Sequence, residues 1–134
     1  MGNNLTLRHY GLAVGDWQTV SGWHEARHGD PLPETILPPL GVVCEDEHGP
    51  AAVWFAYQSL GVGVAFLEAC VTRPGLSMRQ AFSVIGRCLE GIEAVLKKEG
   101  YGMLRTFVEC PSLERSLRRF GFTGRNGNFA KLIV

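Results

Sequence analysis

The sequence predicts an α/β or α+β domain in which helices cover a mixed sheet. The first observation is an amphipathic segment from Ser77 to Lys98, whose apolar residues recur at spacings of three and four, as on one face of a helix. The second is that short apolar segments lie before and after it, which predicts strands on both sides of a helix. With 134 residues, 46% of them hydrophobic, we expect residues 1–134 to form one domain with its own core.

One helix and four strands are predicted before the long helix. Asp16 is a candidate N-cap for a helix that continues to about His28, where Gly29 and Pro31 would end it. One face of this helix carries Trp17, Val20, His24 and His28. The strands are predicted at residues 5–10, 41–45, 50–57 and 62–71, with a polar hairpin turn at residues 46–49.

The long helix has well-marked ends. Ser77 and Gln80 fit a capping box at its start, and Gly100 follows the basic pair at its end. The next strand, residues 103–108, is expected to lie parallel to the strand at residues 62–71.

The last part of the chain predicts a short helix and a hairpin. Ser112 is a candidate cap for a helix that continues through Arg119. Residues 122–134 are predicted to form a hairpin about Asn126-Gly127, because this dipeptide accepts positive φ angles readily.

Charge and cysteine content argue against several classes of protein. The formal net charge is zero and 19% of residues are charged, which gives no field to attract nucleic acid or an anionic membrane. Residues 1–12 contain no apolar targeting segment and no window is long enough to span a bilayer, so we expect a soluble, cytoplasmic protein. The four cysteines are far apart and form no Cys-x-x-Cys pair, which favours reduced thiols.

Two short sequence motifs accompany this order of elements. Val71-Thr72-Arg73-Pro74 leads into the long helix, and Phe120-Gly121-Phe122 follows the short one. With these motifs the chain resembles the GNAT superfamily of acyl-CoA N-acyltransferases. It is most similar to a compact phage-encoded branch with a Trp-rich first helix, a Leu-Pro-rich connector (residues 32–39), a Gly41-Val42-Val43 strand and a Leu67-Glu68 pair. The resemblance implies a mostly antiparallel sheet flanked by helices.

The resemblance implies acetyl-CoA or another acyl-CoA as cofactor, with its pyrophosphate at the start of the long helix, where free N–H groups and the helix dipole favour anions. The residues it assigns to this corner are Val71, Thr72, Arg73, Leu76, Ser77, Met78, Arg79 and Gln80. The family's loop has Arg or Gln where Leu76 stands and Gly where Arg79 stands, and only Ala81 matches the second small position. Arg73 and Arg79 would meet phosphate with charge. The alternatives are a solvent-facing Arg79 and a Ser77 that only caps the helix.

The resemblance makes Glu68 the candidate general base. Members of the family remove a proton from the acceptor amine, often with a Glu on the central strand. The apolar neighbours of Glu68 would desolvate it and raise its pKa, whereas the alternative is an acid at the solvent edge of a strand. Leu117 stands where the family has its tyrosine acid, and Cys110 where an Asn is common. Cys110 is an alternative proton donor, but a structural thiol is the favoured interpretation of this residue.

Aromatic residues are the candidates for the acceptor side of the site. Trp23, Trp54 and Tyr57 would contact a small-molecule or protein amine, as the resemblance places the first helix and the middle strands there. Core packing is the ordinary role of such residues. Trp23 lies off the main apolar face of its helix and is expected to be exposed.

A competing motif lies on the first helix. His24-Glu25-Ala26-Arg27-His28 matches His-Glu-x-x-His, in which two imidazoles bind zinc and the Glu activates water. A third ligand would have to come from Glu45, Glu47 or His48. Chance resemblance is favoured, because a packed His24 accounts for the motif, and no metal is expected.

Three functions therefore stay open, with an acyl-CoA-dependent N-acyltransferase first. A non-catalytic GNAT-fold binding module of phage or prophage origin is the second, and a small zinc hydrolase is a distant third. The transferase predicts a V-shaped opening between the strands at 62–71 and 103–108, with free amides near Met78 and Arg79. The module predicts an opening filled by side chains. The oligomeric state is open, with a homodimer as one option.

Overall fold

The computed structural model describes residues 4–134. In this range the predicted order of elements is confirmed, with one short 3-10 helix added in the proline-rich connector. The elements are β1 Thr6–His9, α1 Asp16–His28, the 3-10 helix Glu34–Ile36, β2 Leu40–Asp46, β3 Gly49–Gln58, β4 Val64–Thr72, α2 Met78–Lys98, β5 Met103–Phe107, α3 Pro111–Arg119, β6 Thr123–Arg125 and β7 Asn128–Leu132.

Within residues 4–134 the strands form one sheet of seven strands in the order β1-β2-β3-β4-β5-β7-β6. Each neighbouring pair is antiparallel except β4 and β5, which are parallel and joined through α2. The mixed, mostly antiparallel sheet and the parallel pairing of the two strands around the long helix are both confirmed.

Helices cover both faces of the sheet, and each face has its own apolar core. On one face α2 buries Cys88, Ile92 and Leu96 against strand residues such as Trp54. On the other face α1 buries Val20 and Trp23 against residues that include Val53 and Phe55. The alternation of side chains along each strand produces the two layers, because successive residues point to opposite faces.

Two local features predicted from the sequence are confirmed, the capping box of α2 and the hairpin turn at Asn126-Gly127. Ser77 Oγ accepts from the Gln80 N–H at 3.1 Å, and Gln80 Oε1 accepts from the Ser77 N–H at 2.9 Å, so the capping box is complete. Asn126 and Gly127 have φ angles of 55° and 81°, the left-handed pair that a tight hairpin turn requires.

Asp16 is not the N-cap of α1. Gly15 occupies that position at φ 90°, and Asp16 belongs to the first turn. Its carboxylate accepts two hydrogen bonds from Arg8, both at 2.8 Å, and one from the Gly11 N–H at 2.8 Å. The Arg8 guanidinium therefore holds the pKa of Asp16 below its usual range. This ion pair ties α1 to β1, which a local reading of capping signals could not show.

The prediction that Ser112 caps α3 is also wrong. Cys110 is the N-cap residue, Pro111 is at the first helical position, and Ser112 lies within the helix. Proline favours this place because its ring fixes φ and its missing N–H has no intrahelical partner there.

Trp23 is buried, which contradicts the expected exposure. Its side chain is 8% exposed, whereas His28 on the predicted inner face is exposed. The connector after α1 folds back on the helix, where Leu32 O accepts from Trp17 Nε1 at 2.9 Å and the Leu32 N–H donates to Ser21 Oγ at 3.2 Å. The inner face is therefore rotated toward Val20, Ser21 and Trp23.

Candidate functional site

The parallel strands β4 and β5 separate before either strand ends. Their pairing covers Val64–Phe66 against Met103–Arg105, while β4 continues to Thr72. At the next position the Thr106 hydroxyl donates to the Leu67 carbonyl at 3.3 Å, so a side chain replaces the backbone ladder. Beyond this bridge β4 and β5 no longer pair, and this is the place where an opening is predicted for a transferase.

A β-bulge lies on β4 at the side of this opening. Phe55 is opposite Glu68 and Val53 is opposite Val71, so Ala69 and Cys70 together face the single residue Trp54. Ala69 has a φ of 55°, a left-handed conformation that disfavours a residue with a side chain by about 1–2 kcal/mol. Bulges re-aim strand residues and are common beside functional sites. Backbone strain of this kind is also concentrated at such sites.

A cleft of about 310 Å³ lies at the separation of the two strands. Tyr57 on β3, Phe66 on β4 and Arg105 on β5 are successive cross-strand neighbours, so their side chains share one face of the sheet. The residues lining the cleft are Tyr57, Phe66, Leu67, Glu68, Arg105, Thr106, Phe107, Asn128 and Phe129. Leu67, Thr106 and Phe129 belong to the opposite face of their strands.

Glu68 lines this cleft and its side chain is exposed. The expected desolvation is absent because Leu67 points to the opposite face and Phe66 is itself 43% exposed. Arg105 is also exposed. Within residues 4–134 neither Glu68 nor Arg105 forms an ion pair or a side-chain hydrogen bond, so the cleft carries two uncompensated charges of opposite sign.

The start of α2 presents backbone donors. The capping box satisfies the N–H groups of Ser77 and Gln80. In the described part of the chain, the N–H groups of Met78 and Arg79 have no hydrogen-bond acceptor, and both side chains are exposed. Because the helix dipole is positive at this end, the two amides suit an anion. The amides predicted near Met78 and Arg79 are therefore free.

Arg73 has a structural partner. Its guanidinium donates to both oxygens of Asp46, at 3.1 and 2.6 Å, and to the Pro50 carbonyl at 3.0 Å. The same contact keeps the pKa of Asp46 below its usual range. Arg73 therefore holds the end of β4 against the β2–β3 turn, and its charge is already balanced. Arg79 is left as the exposed cation of the corner.

Leu117 and Cys110, which stand where the family resemblance expects a tyrosine and an asparagine, differ in burial. Leu117 is fully buried in the core beneath α3. Cys110 is exposed, with its Sγ 3.1 Å from Ser112 Oγ. The Ser112 hydroxyl and the Leu113 N–H lower the pKa of Cys110, whereas burial raises the pKa of Cys70 to about 12.

Of the three aromatic residues assigned to the acceptor, two are buried and one lines the cleft. Trp54 is 1% exposed and Trp23 is 8% exposed, so both indoles belong to the cores. Tyr57 lines the cleft, and its hydroxyl donates to the Ile36 carbonyl in the connector. Sequence reasoning missed Phe66, Arg105 and Phe107. For Arg105 and Phe107 the signal was the strict alternation of β5, in which they fall on the face opposite buried Leu104 and Thr106.

The His-Glu-x-x-His motif gains no third ligand. The His24 and His28 rings lie with their centroids 4.5 Å apart and their planes tilted by 43°, and the Asp30 carbonyl lies 2.8 Å from His24 Nδ1. Glu45 binds Arg8 instead. Across residues 4–134 the structure has no group of three His, Cys, Asp or Glu side chains placed to hold a metal ion.

The fold has counterparts among solved structures. An acyl-CoA N-acyltransferase candidate from Klebsiella pneumoniae is 13% identical with a TM-score of 0.76, and the match covers 98% of this chain and 99% of that one. A GNAT family N-acetyltransferase from Escherichia coli in complex with CoA is 14% identical with a TM-score of 0.70, and the match covers 100% of this chain and 84% of that one. The ribosomal-protein-S18-alanine N-acetyltransferase from Escherichia coli is 18% identical with a TM-score of 0.70, and the match covers 96% of this chain and 94% of that one.

The sequence matches no family model and no curated protein. The structural matches, over nearly the full length of this chain, show that it has the GNAT fold. No helix in the described range, residues 4–134, has the length and apolar character needed to cross a membrane.

Proposed function

We propose that this chain is an acyl-CoA-dependent N-acyltransferase that moves an acetyl or other acyl group from coenzyme A to an amine. The observation that carries the proposal is the early separation of β4 and β5 beside a strained bulge at Ala69. A fold of this kind holds CoA in the Escherichia coli N-acetyltransferase and in N-acetylglutamate synthase from Neisseria gonorrhoeae.

The corner from Val71 to Gln80 would hold the cofactor. The free N–H groups of Met78 and Arg79 fit a pyrophosphate, with Ser77 and Gln80 keeping the first turn of α2 in shape. The Arg79 side chain replaces the close backbone approach of a glycine with a charged contact. The side chains of Val71 and Thr72 are buried, so they would support the corner from within rather than contact the cofactor. Leu76 would lie beside the cofactor, and Arg73 fixes the end of β4 through Asp46.

Coenzyme A supplies an acyl group activated as a thioester. Glu68 accepts the proton that the amine loses as its nitrogen bonds to the acyl carbon, directly or through water. The bulge at Ala69 leaves a residue of β4 outside the ladder, and its N–H is a donor for the oxygen on which charge develops. Because Leu117 has no proton to give, solvent water protonates the departing sulfur.

A non-catalytic binding module, of phage or prophage origin by the family resemblance, is the second candidate. The buried Leu117 favours it, since an apolar side chain stands where the family has its acid. Leu76 and Arg79 also replace residues of the family's phosphate loop. Such a module would keep the fold and the cleft without acyl transfer.

Calorimetry with free coenzyme A and acetyl-CoA tests the cofactor site, followed by a screen of amines for acylated product by mass spectrometry. We expect a dissociation constant in the micromolar range, on the order of −8 kcal/mol. Arg79→Ala should weaken binding, whereas Arg125→Ala, an exposed arginine on β6, should not. Glu68→Gln should slow transfer and leave coenzyme A binding intact. Absence of binding at millimolar coenzyme A would overturn the transferase, and binding without transfer to any amine would favour the module.

A further inference from the structure

We propose that the acceptor is a small zwitterion with an apolar body, of the class of apolar or aromatic α-amino acids. The inference rests on the proposed function for its chemistry, because the amine that Glu68 would deprotonate is the one that receives the acyl group. It rests on the cleft residues Tyr57, Phe66, Glu68, Arg105 and Phe107 for its specificity.

The two charged groups of the cleft are placed diagonally on one face of the sheet. Arg105 is the cross-strand neighbour of Phe66, and Glu68 follows Phe66 by two residues on β4. Neighbouring strands lie about 4.8 Å apart and two residues extend about 6.6 Å, so the two Cα atoms are at least about 8 Å apart. Both side chains are long and exposed, and neither has a partner within residues 4–134. A ligand with both charges can therefore contact the two of them together.

The walls between and beside these charges are aromatic. Tyr57, Phe66 and Phe107 are 40%, 43% and 57% exposed, although side chains of this size are usually covered. They lie on adjacent strands around one cleft, which makes them an apolar surface rather than scattered exposed residues. The bond from Tyr57 to the Ile36 carbonyl fixes one wall in place. This surface would bury the side chain of an apolar amino acid.

The size of the cleft limits the ligand. A volume of about 310 Å³ is at the low end for small-molecule sites, which begin at about 300 Å³. A single amino acid fits this space, whereas a long polymer would leave most of its surface outside.

The charges also set the direction of binding. Glu68 lies on the side where β4 and β5 separate, so the ligand's amine is directed to the opening through which an acyl group would arrive. Arg105 lies where the strands are still paired, so the carboxylate is held away from the reaction. The bound ammonium first loses one proton to water, which frees the lone pair of its nitrogen. In the transfer, the amine nitrogen then bonds to the acyl carbon, the carbon–sulfur bond breaks, a second proton of the amine passes to Glu68, and the sulfur takes a proton from water.

Three matched ligands test the inference by direct binding. Phenylalanine carries both charges, phenethylamine lacks the carboxylate, and hydrocinnamate lacks the amine. Calorimetry of each, with and without coenzyme A, should show phenylalanine binding about tenfold or more tightly than either analogue, since hydrogen bonds to charged groups are the stronger ones. Arg105→Gln should abolish the preference over phenethylamine, and Glu68→Gln the preference over hydrocinnamate. Arg125→Gln should change neither.

Equal binding of phenylalanine and phenethylamine, no measurable binding of phenylalanine, or an unchanged preference in Arg105→Gln would overturn the inference. Failure of the proposed function looks different. If the protein binds coenzyme A and acylates amines that lack a carboxylate, with no preference for phenylalanine, the transferase stands and the amino-acid acceptor is excluded. Charge-selective phenylalanine binding without any coenzyme A binding would leave the zwitterion site and remove the transferase.

Discussion

The hydroxyl of Thr106 donates to the carbonyl of Leu67 at the point where β4 and β5 cease to pair, with 3.3 Å between the two oxygens. Thr106 is 9% exposed and Leu67 is 2% exposed, so the contact is buried. One side chain therefore satisfies a backbone group that the separation of the strands would otherwise leave without a donor. The opening and its bridge belong to one structural feature.

Thr106→Val should destabilise the fold although it nearly preserves the shape of the side chain. The change removes the donor and leaves the buried Leu67 carbonyl unpaired, which costs about 1–3 kcal/mol. Urea denaturation of the wild-type protein and the variant measures the difference in free energy of unfolding. Thr106→Ser keeps the hydroxyl and should retain more of the stability. Equal stability of the valine variant and the wild type would show that water or a backbone shift satisfies the carbonyl.

At Ala69 the glycine variant should be more stable than the valine variant, whereas an ordinary strand position favours valine over glycine. At a φ of 55°, glycine relieves the left-handed penalty, so Ala69→Gly should be neutral or stabilising despite its greater chain entropy. Ala69→Val adds a β-branched side chain to this conformation and should destabilise by about 1–3 kcal/mol. Thermal unfolding of the two variants gives the order directly. A valine variant at least as stable as the glycine variant would contradict the left-handed backbone at this position.

The fold could be predicted largely from sequence because its signals are local and agree with one another. The amphipathic period of α2, its capping box at Ser77 and the Asn126-Gly127 turn each need only a few neighbouring residues. The failures at Asp16 and Ser112 are of another kind. Both residues have the chemistry of a cap, but Arg8 binds the first, and Pro111 begins the helix before the second, which therefore lies inside it.

The site was less predictable because it depends on which strand faces meet. Trp54 and Tyr57 are three residues apart on β3, so they point to opposite faces, and the sequence alone did not separate the buried indole from the exposed phenol. Arg105 becomes relevant only when β5 is placed beside Phe66. Pairing and register are long-range properties, which local periodicity does not encode.

The Asp16 and Arg8 pair should make stability depend on acid pH. The arginine lowers the pKa of Asp16 in the folded state relative to the unfolded chain, where an Asp side chain has a pKa of about 3.9. The pair therefore contributes its full stability above the unfolded pKa and loses it as pH falls through the folded pKa. Urea unfolding at a series of pH values should show this loss in the wild type and a flatter dependence in Asp16→Asn. Asp30→Asn, at an exposed position, is the matched control, and parallel pH curves for wild type and Asp16→Asn would contradict the assignment.

Cys110 should be the first thiol to react. It is exposed at the start of α3, and the Ser112 hydroxyl and the Leu113 N–H lower its pKa, whereas burial raises the pKa of Cys44 to about 11 and that of Cys70 to about 12. Because the thiolate is the reactive form, iodoacetamide at neutral pH should label Cys110 before the other three thiols in the folded protein. Mass spectrometry of timed samples locates the label, and Cys110→Ser should remove the fast phase. Ser112→Ala removes the leading cause of the shift, so it should move the pH midpoint of labelling upward; an unchanged midpoint would assign the shift to the backbone of α3 alone.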